Sequence, residues 1–389
     1  MKLFLSALTL MLAKADNTPD LCKDDIANLE VIAPSETVTD GHIIPNITVG
    51  GETYSGDFPH FVVNPGGKQE KIIVYIPGTT DRPSLSSCLI KSMSETLSFP
   101  VLALSYQYLS SGDKFRNGKC ALLVAGEDRS EQINCLTQQH IDAIDGGDYG
   151  ATNFKADGSA FWGEVLPENS LTRRLGDLLI LLNERHPAEK WSNFLQDDML
   201  TPAWEKIIFS GHSQGSGHVA YLAQTKSING AVMISGPQDE CIDCPEGTNF
   251  WIDDEYASSP DTPYTALAQG SEPLFSVMAD NWMRMKIANP DINWKKGPQS
   301  TSFGLNTTKD DAIAAPLFTD VDYGDRSTCG GKLHCSVAID DSVPYISTTK
   351  NDTFYLYEAT VWPSILKAGS GKKTGKGKKE KQKKMRGGK

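Results

Sequence analysis

Basic charge is scarce in this 389-residue chain until its last stretch. From Lys367 onward there are 11 Lys/Arg and one acid, Glu380, while everything before that carries 26 bases against 48 acids. So acidic a body excludes a nucleic-acid-binding domain, which needs a basic face to meet phosphates. There is also no run of 18 apolar residues, so no transmembrane segment is expected. No internal repeat is visible. Neither G-x-x-x-x-G-K-[ST] nor H-E-x-x-H occurs, which removes a phosphate-cradling loop and a zinc-protease helix; no cofactor and no metal is assigned. Histidine is sparse, with seven in all and only His334 beyond residue 218.

The composition that is present is globular, at 39% hydrophobic and 22% charged with 34 Gly and 21 Pro. The first fifteen residues have the layout of a secretory signal: Lys2, the apolar run Leu3 to Leu12, and a small-x-small site at Ala13-Lys14-Ala15. The expected mature protein starts near Asp16 and is secreted. Eight cysteines, at 22, 88, 120, 135, 241, 244, 329 and 335, and N-x-[ST] sequons at Asn46, Asn306 and Asn351 fit a disulfide-bonded extracellular glycoprotein. Proximity in sequence favours Cys120 with Cys135 and Cys329 with Cys335. Cys241-Ile-Asp-Cys244 has no second C-x-x-C to complete a zinc set and reads as structural disulfide chemistry. The Lys/Gly-rich stretch 367–389 is too polar to order itself. It reads either as an electrostatic attachment to a polyanion (acidic polysaccharide, cell wall or anionic surface) or as a solubilising tail.

Strands and helices alternate along the body, which points to a mostly parallel sheet covered on both faces. Strands are expected at 71–76, 101–106, 206–210, 231–235, 273–279 and 316–321. Helices are expected at 85–97, 130–144, 171–184, 214–224, after residue 279, and at 353–366. Two regions, about 110–169 and 238–270, read as insertions or a cap.

One segment carries chemistry. Lys206-Ile-Ile-Phe-Ser-Gly-His-Ser213-Gln-Gly215 contains G-x-S-x-G between an apolar strand and an Ala/Leu-rich helix, the strand–turn–helix setting of a nucleophile elbow. Gly211 and Gly215 let strand and helix close around the turn, and Ser213 then stands at a helix N-terminus, where backbone amides favour developing negative charge. A serine hydroxyl needs a base and a group to orient that base. With the order Ser, acid, His expected, His334 is the sole candidate base. The acid is expected to be Asp280, at the end of the strand expected over 273–279, with Asp239 as the alternative. The oxyanion hole is expected from the amide of Gln214 and the Gly78-Thr79 loop. His218 reads as a packed histidine. His212 lines the pocket or fills space. Acidic pairs such as Asp253-Asp254-Glu255 read as solvated surface rather than as a calcium loop.

Residues 70–366 resemble the α/β-hydrolase superfamily. Gly211-His-Ser-Gln-Gly-Ser-Gly-His218, with His334-Cys-Ser-Val-Ala-Ile-Asp340, is similar to a little-characterised group of secreted serine hydrolases with a G-H-S-Q-G-x-G-H elbow. The resemblance implies an eight-stranded, doubly wound, mostly parallel sheet over 16–366, a Ser-His-acid triad, and hydrolysis of a small or polymeric carboxylic ester or related acyl substrate. The alternative is a secreted binding protein on a hydrolase scaffold, attached to polyanions through its tail.

Overall fold

The computed structural model describes residues 22–38, 41, 44, 46–49, 52–66, 69–79, 81–107, 120, 130–153, 162–240, 251–253, 262–285, 317–319, 333–340, 342–343, 345–347, 353–355, 357–358 and 361–371. The expected signal, Cys241, Cys244, Cys329, Asn306, Asn351 and the tail beyond Gly371 lie outside them. No helix among the described residues is long and apolar enough to cross a membrane.

Eight strands form one sheet: β1 (Leu29–Ile32), β2 (His60–Val63), β3 (Ile72–Ile76), β4 (Val101–Ala103), β5 (Ile207–His212), β6 (Gly230–Ile234), β7 (Tyr264–Gln269) and β8 (Leu317–Thr319). Their spatial order is β1-β2-β4-β3-β5-β6-β7-β8. Pairing is antiparallel at β1–β2 and β2–β4 and parallel across the rest. This is the α/β-hydrolase arrangement, with β3, β5 and β6 at its centre. Outside it, Ile47–Val49 pairs with Glu52–Tyr54, and Tyr345–Ser347 pairs with Thr353–Tyr355, both antiparallel.

The central strands are continuous apolar runs because both faces are covered. Along β3, Ile72, Val74 and Ile76 face one core while Ile73 and Tyr75 face the other. The first core is closed by α2 (Ser130–Asp145), α3 (Leu171–Arg185), α4 (Gln214–Thr225) and α5 (Phe275–Arg284), through Leu136, Leu175, Val219 and Trp282. The second is closed by α1 (Ser87–Leu97) and α6 (Val361–Gly369), through Leu89, Met93, Trp362 and Ile365. Disulfides join Cys22 to Cys88 and Cys120 to Cys135, the latter as expected from proximity. Cys335 is also disulfide-bonded.

Three assignments differ from the sequence reading. The stretch 273–279 is not a strand but opens helix α5, because Met278, Ala279 and Trp282 turn one helical face into the core. The strand is instead Tyr264–Gln269, inside a region expected to be irregular, and it is buried from Thr265 to Gln269. The last helix begins only at Val361, and it carries Lys367 to Gly369, counted with the tail from sequence, against the sheet. There Gly369 lies against Gly230 and Ala231, and Gly371 near Pro263.

One buried histidine sets an acid sensitivity. His60, at the start of β2, is fully buried and accepts a hydrogen bond from the Ser105 amide through Nδ1 at 2.9 Å. Burial, assisted by the Arg174 charge, lowers its pKa from 6.5 to about 3. The folded pKa is depressed, so the stability it contributes is complete above about pH 6.5 and is lost as pH falls toward about 3. His60→Gln is expected to shallow the fall of unfolding free energy with pH in that window by up to about 1.4 kcal/mol per pH unit, measured by urea unfolding. An unchanged slope refutes it.

Candidate active site

Strand β5 ends at His212, and the chain turns at Ser213 with φ 55° and ψ −120° before entering α4. A non-glycine residue there stores about 1–3 kcal/mol of backbone strain. Close approach on both sides makes the turn possible. A Cβ on Gly215 would strike the carbonyl oxygens of Ile76 and Pro77, and one on Gly211 would strike the Gly215 carbonyl. The Ser213 amide donates to Ile234 O at 2.9 Å, tying the turn to β6. Its side chain stands at the α4 N-terminus, where the helix dipole favours an anion.

The loop after β3 lies against this serine. A Cβ on Gly78 would come within 2.9 Å of the Ser213 Cβ, so only glycine lets this backbone pass so close. Thr79 Oγ1 donates to Gln214 Oε1 at 2.8 Å, joining the two residues whose amides sequence reasoning placed in an oxyanion hole. Tyr106 supports the loop from below, donating through its hydroxyl to Pro77 O at 3.1 Å.

His334 sits in a turn over residues 333–340 that is pinned at several points. Asp340 accepts from Ser87 Oγ at 2.5 Å and from the Cys88 amide at 3.1 Å, at the N-terminus of α1. The Asp340 amide donates to Leu85 O at 2.8 Å, and Trp362 Nε1 donates to Val337 O at 2.9 Å. The His334 carbonyl accepts from Ser235 Oγ at 3.0 Å. Its imidazole is 5.1 Å, centroid to centroid, from that of His212, the residue before Ser213. Nδ1 lies 3.2 Å from Glu272 Oε1 and 3.1 Å from Gln238 Nε2. Among the described residues no hydrogen bond joins the Ser213 hydroxyl to this ring.

The carboxylate beside His334 is therefore Glu272, in the turn between β7 and α5, with a side chain 1% exposed. Ser235 Oγ donates to its other oxygen at 3.3 Å. Asp280 does not occupy this position: it stands on α5, 56% exposed, and pairs with Arg284 at 3.0 Å. The strand expected to end at Asp280 is a helix, which carries that side chain round to solvent. Asp239 is buried, but its partners are His140 Nε2 at 2.7 Å and Trp251 Nε1 at 2.8 Å. Sequence reasoning missed Glu272; its signal was the turn Gly270-Ser-Glu-Pro273 directly after Tyr264–Gln269.

Asp239 organises a second, buried set. His140 Nε2–H donates to this carboxylate, which leaves Nδ1 as an acceptor for His218 Nδ1 at 3.0 Å. His218 is fully buried, and burial together with His140 holds its pKa well below the usual histidine value. It is a packed, neutral histidine on the buried face of α4.

Neither a family model nor a curated protein matches this chain. Solved structures similar to it include carboxyl esterase 2 from the mycorrhizal fungus Tuber melanosporum, at 11% identity and TM-score 0.37, over 88% of this chain and 89% of that one. Others are an esterase of Pyrococcus furiosus (12%, TM-score 0.31, 69% and 82%) and a hyperthermophilic esterase of the archaeon Pyrobaculum calidifontis (13%, TM-score 0.31, 72% and 76%). The fold stands on the strand order and the elbow rather than on these likenesses.

Proposed function

We propose that this chain is a secreted serine hydrolase that cleaves a carboxylic ester or related acyl bond. The observation that carries this reading is Ser213 held at φ 55° on a strand-to-helix turn, with the His334 ring 5.1 Å from that of the preceding residue, His212, and a buried Glu272 on Nδ1. A carboxylate on Nδ1 favours the tautomer whose Nε2 lone pair accepts the seryl proton, the nitrogen that Gln238 Nε2 also faces at 3.5 Å. Ser213 Oγ attacks the acyl carbonyl, and His334 takes the proton and returns it to the leaving alcohol. Water then releases the acyl group by the same route in reverse. The amides of Gln214 and Thr79 hold the oxyanion, a role supported by the Gly78–Ser213 approach and the Thr79–Gln214 bond. The reaction requires Ser213 Oγ and His334 Nε2 to come within hydrogen-bond distance when substrate is bound.

The direct test is a fluorophosphonate probe followed by peptide mapping, with a panel of activated esters assayed alongside. Labelling at Ser213 is the expected result. Labelling elsewhere, or none with no ester turned over, overturns the reading.

The basic tail is assigned to polyanion attachment. Retention of the full chain on an anionic matrix is expected to fall steeply between low and high salt, and to be lost on removing residues 372–389. Retention that ignores salt or survives truncation refutes the assignment.

A further inference from the structure

His212 is fixed at both ends of its ring. Nδ1 is 3.0 Å from Asp81 Oδ2, and Nε2 is 3.2 Å from the His334 carbonyl oxygen. Both partners are acceptors, so holding both at once takes a proton on each ring nitrogen. The side chains of His212 and Asp81 are 1% and 11% exposed. Asp81 belongs to the loop that carries Gly78 and Thr79, and its amide donates to Gly78 O at 3.1 Å. A Cβ on Gly78 would meet Asp81 Oδ2 at 2.7 Å, Ser213 Cβ at 2.9 Å and His212 Nδ1 at 3.2 Å, so carboxylate, imidazole and serine converge on one backbone atom. The carbonyl on the other side of the ring belongs to His334 itself.

From this arrangement we infer that His212 is a positioning residue that ties the oxyanion loop, through Asp81, to the base-bearing turn, through the backbone of His334. The inference rests on the serine-hydrolase reading above. The two loops come from opposite ends of the chain, and each holds one part of the machinery that must meet at Ser213. Where the reacting atoms must be held to a fraction of an ångström, a shared clamp acts on the rate of the chemical step and leaves substrate affinity nearly unchanged. The residue before the nucleophile suits this task because it closes β5 and its ring cannot drift independently of the serine.

The test uses the full chain with His212→Phe, His212→Asn, His212→Gln and Asp81→Asn. His212→Phe keeps a ring and removes both donors. It is expected to lower kcat and the fluorophosphonate labelling rate about 100-fold while KM changes less than about twofold. His212→Asn retains a donor toward Asp81 and His212→Gln one toward the His334 carbonyl, so each is expected to recover part of the loss. Combining Asp81→Asn with His212→Phe is expected to add nothing further, since both act through one link. Wild-type kcat in His212→Phe, a loss confined to KM, or fully additive effects overturn the inference. If His212→Phe fails to fold by thermal melt, the Asn and Gln variants decide: partial loss in kcat supports the clamp, and wild-type rates in both refute it. A wild-type chain that resists the probe sinks the hydrolase reading instead, so the two failures are distinguishable.

Discussion

Ser213→Ala is expected to lower kcat for activated esters by about 10⁵-fold or more and to abolish fluorophosphonate labelling, with the fold unchanged. The magnitude follows from losing the only atom that can form the acyl-enzyme; what is left is transition-state binding by the oxyanion donors and the pocket. Ser213→Gly is expected to be equally inactive yet more stable by about 1 kcal/mol in urea unfolding. Glycine relieves the strain of φ 55° at this turn, which alanine keeps. The pair of variants separates chemistry from conformation: both remove the oxygen, and only one relaxes the backbone. Equal ester turnover by wild type and Ser213→Ala would return the chain to the binding-protein reading.

Glu272→Gln is expected to lower kcat by about 10⁴-fold with little change in KM, because an amide beside Nδ1 no longer enforces the tautomer that presents Nε2 as a base. Asp280→Asn is expected to behave as wild type, since that carboxylate is half-exposed and occupied by Arg284. Asp239→Asn tests a different effect. Its carboxylate orients His140 and, through it, His218 on the elbow helix. The expected consequence is a loss of stability of about 1–3 kcal/mol, read by urea midpoint, with a much smaller fall in kcat than Glu272→Gln. If Asp280→Asn or Asp239→Asn lowers kcat as far as Glu272→Gln does, the acid assignment is wrong.

The elbow was legible because its chemistry is local. Gly211, Ser213 and Gly215 sit within five residues between an apolar strand and an Ala/Leu helix, and every constraint on the turn is written there. The place of His334 near the elbow was legible by scarcity, since it is the one histidine beyond residue 218. The carboxylate beside His334 was not legible, because it depended on locating β7. Apolar Pro273-Leu-Phe-Ser-Val-Met-Ala279 resembles a buried strand, and over so short a run periodicity cannot tell strand from helix. Met278, Ala279 and Trp282 carry the helical spacing, and it extends past the end of the segment read as a strand. The links from Asp81 to His212 and from His212 to the His334 carbonyl span more than a hundred residues each, and no short-range pattern encodes them. The sheet itself was easier to read: Ile72–Ile76 and Ile207–Phe209 are β-branched or aromatic on both faces, as centrally buried parallel strands are.

Helix α6 ends against Gly230 and near Pro263, where β6 and β7 begin, whereas Ser213 follows the finishing end of β5, which runs parallel to them. Gly371, the last described residue before the lysine-rich extension, therefore stands at the rim opposite the reactive serine. Mooring through that extension would leave the Ser213 rim on the side away from the point of attachment.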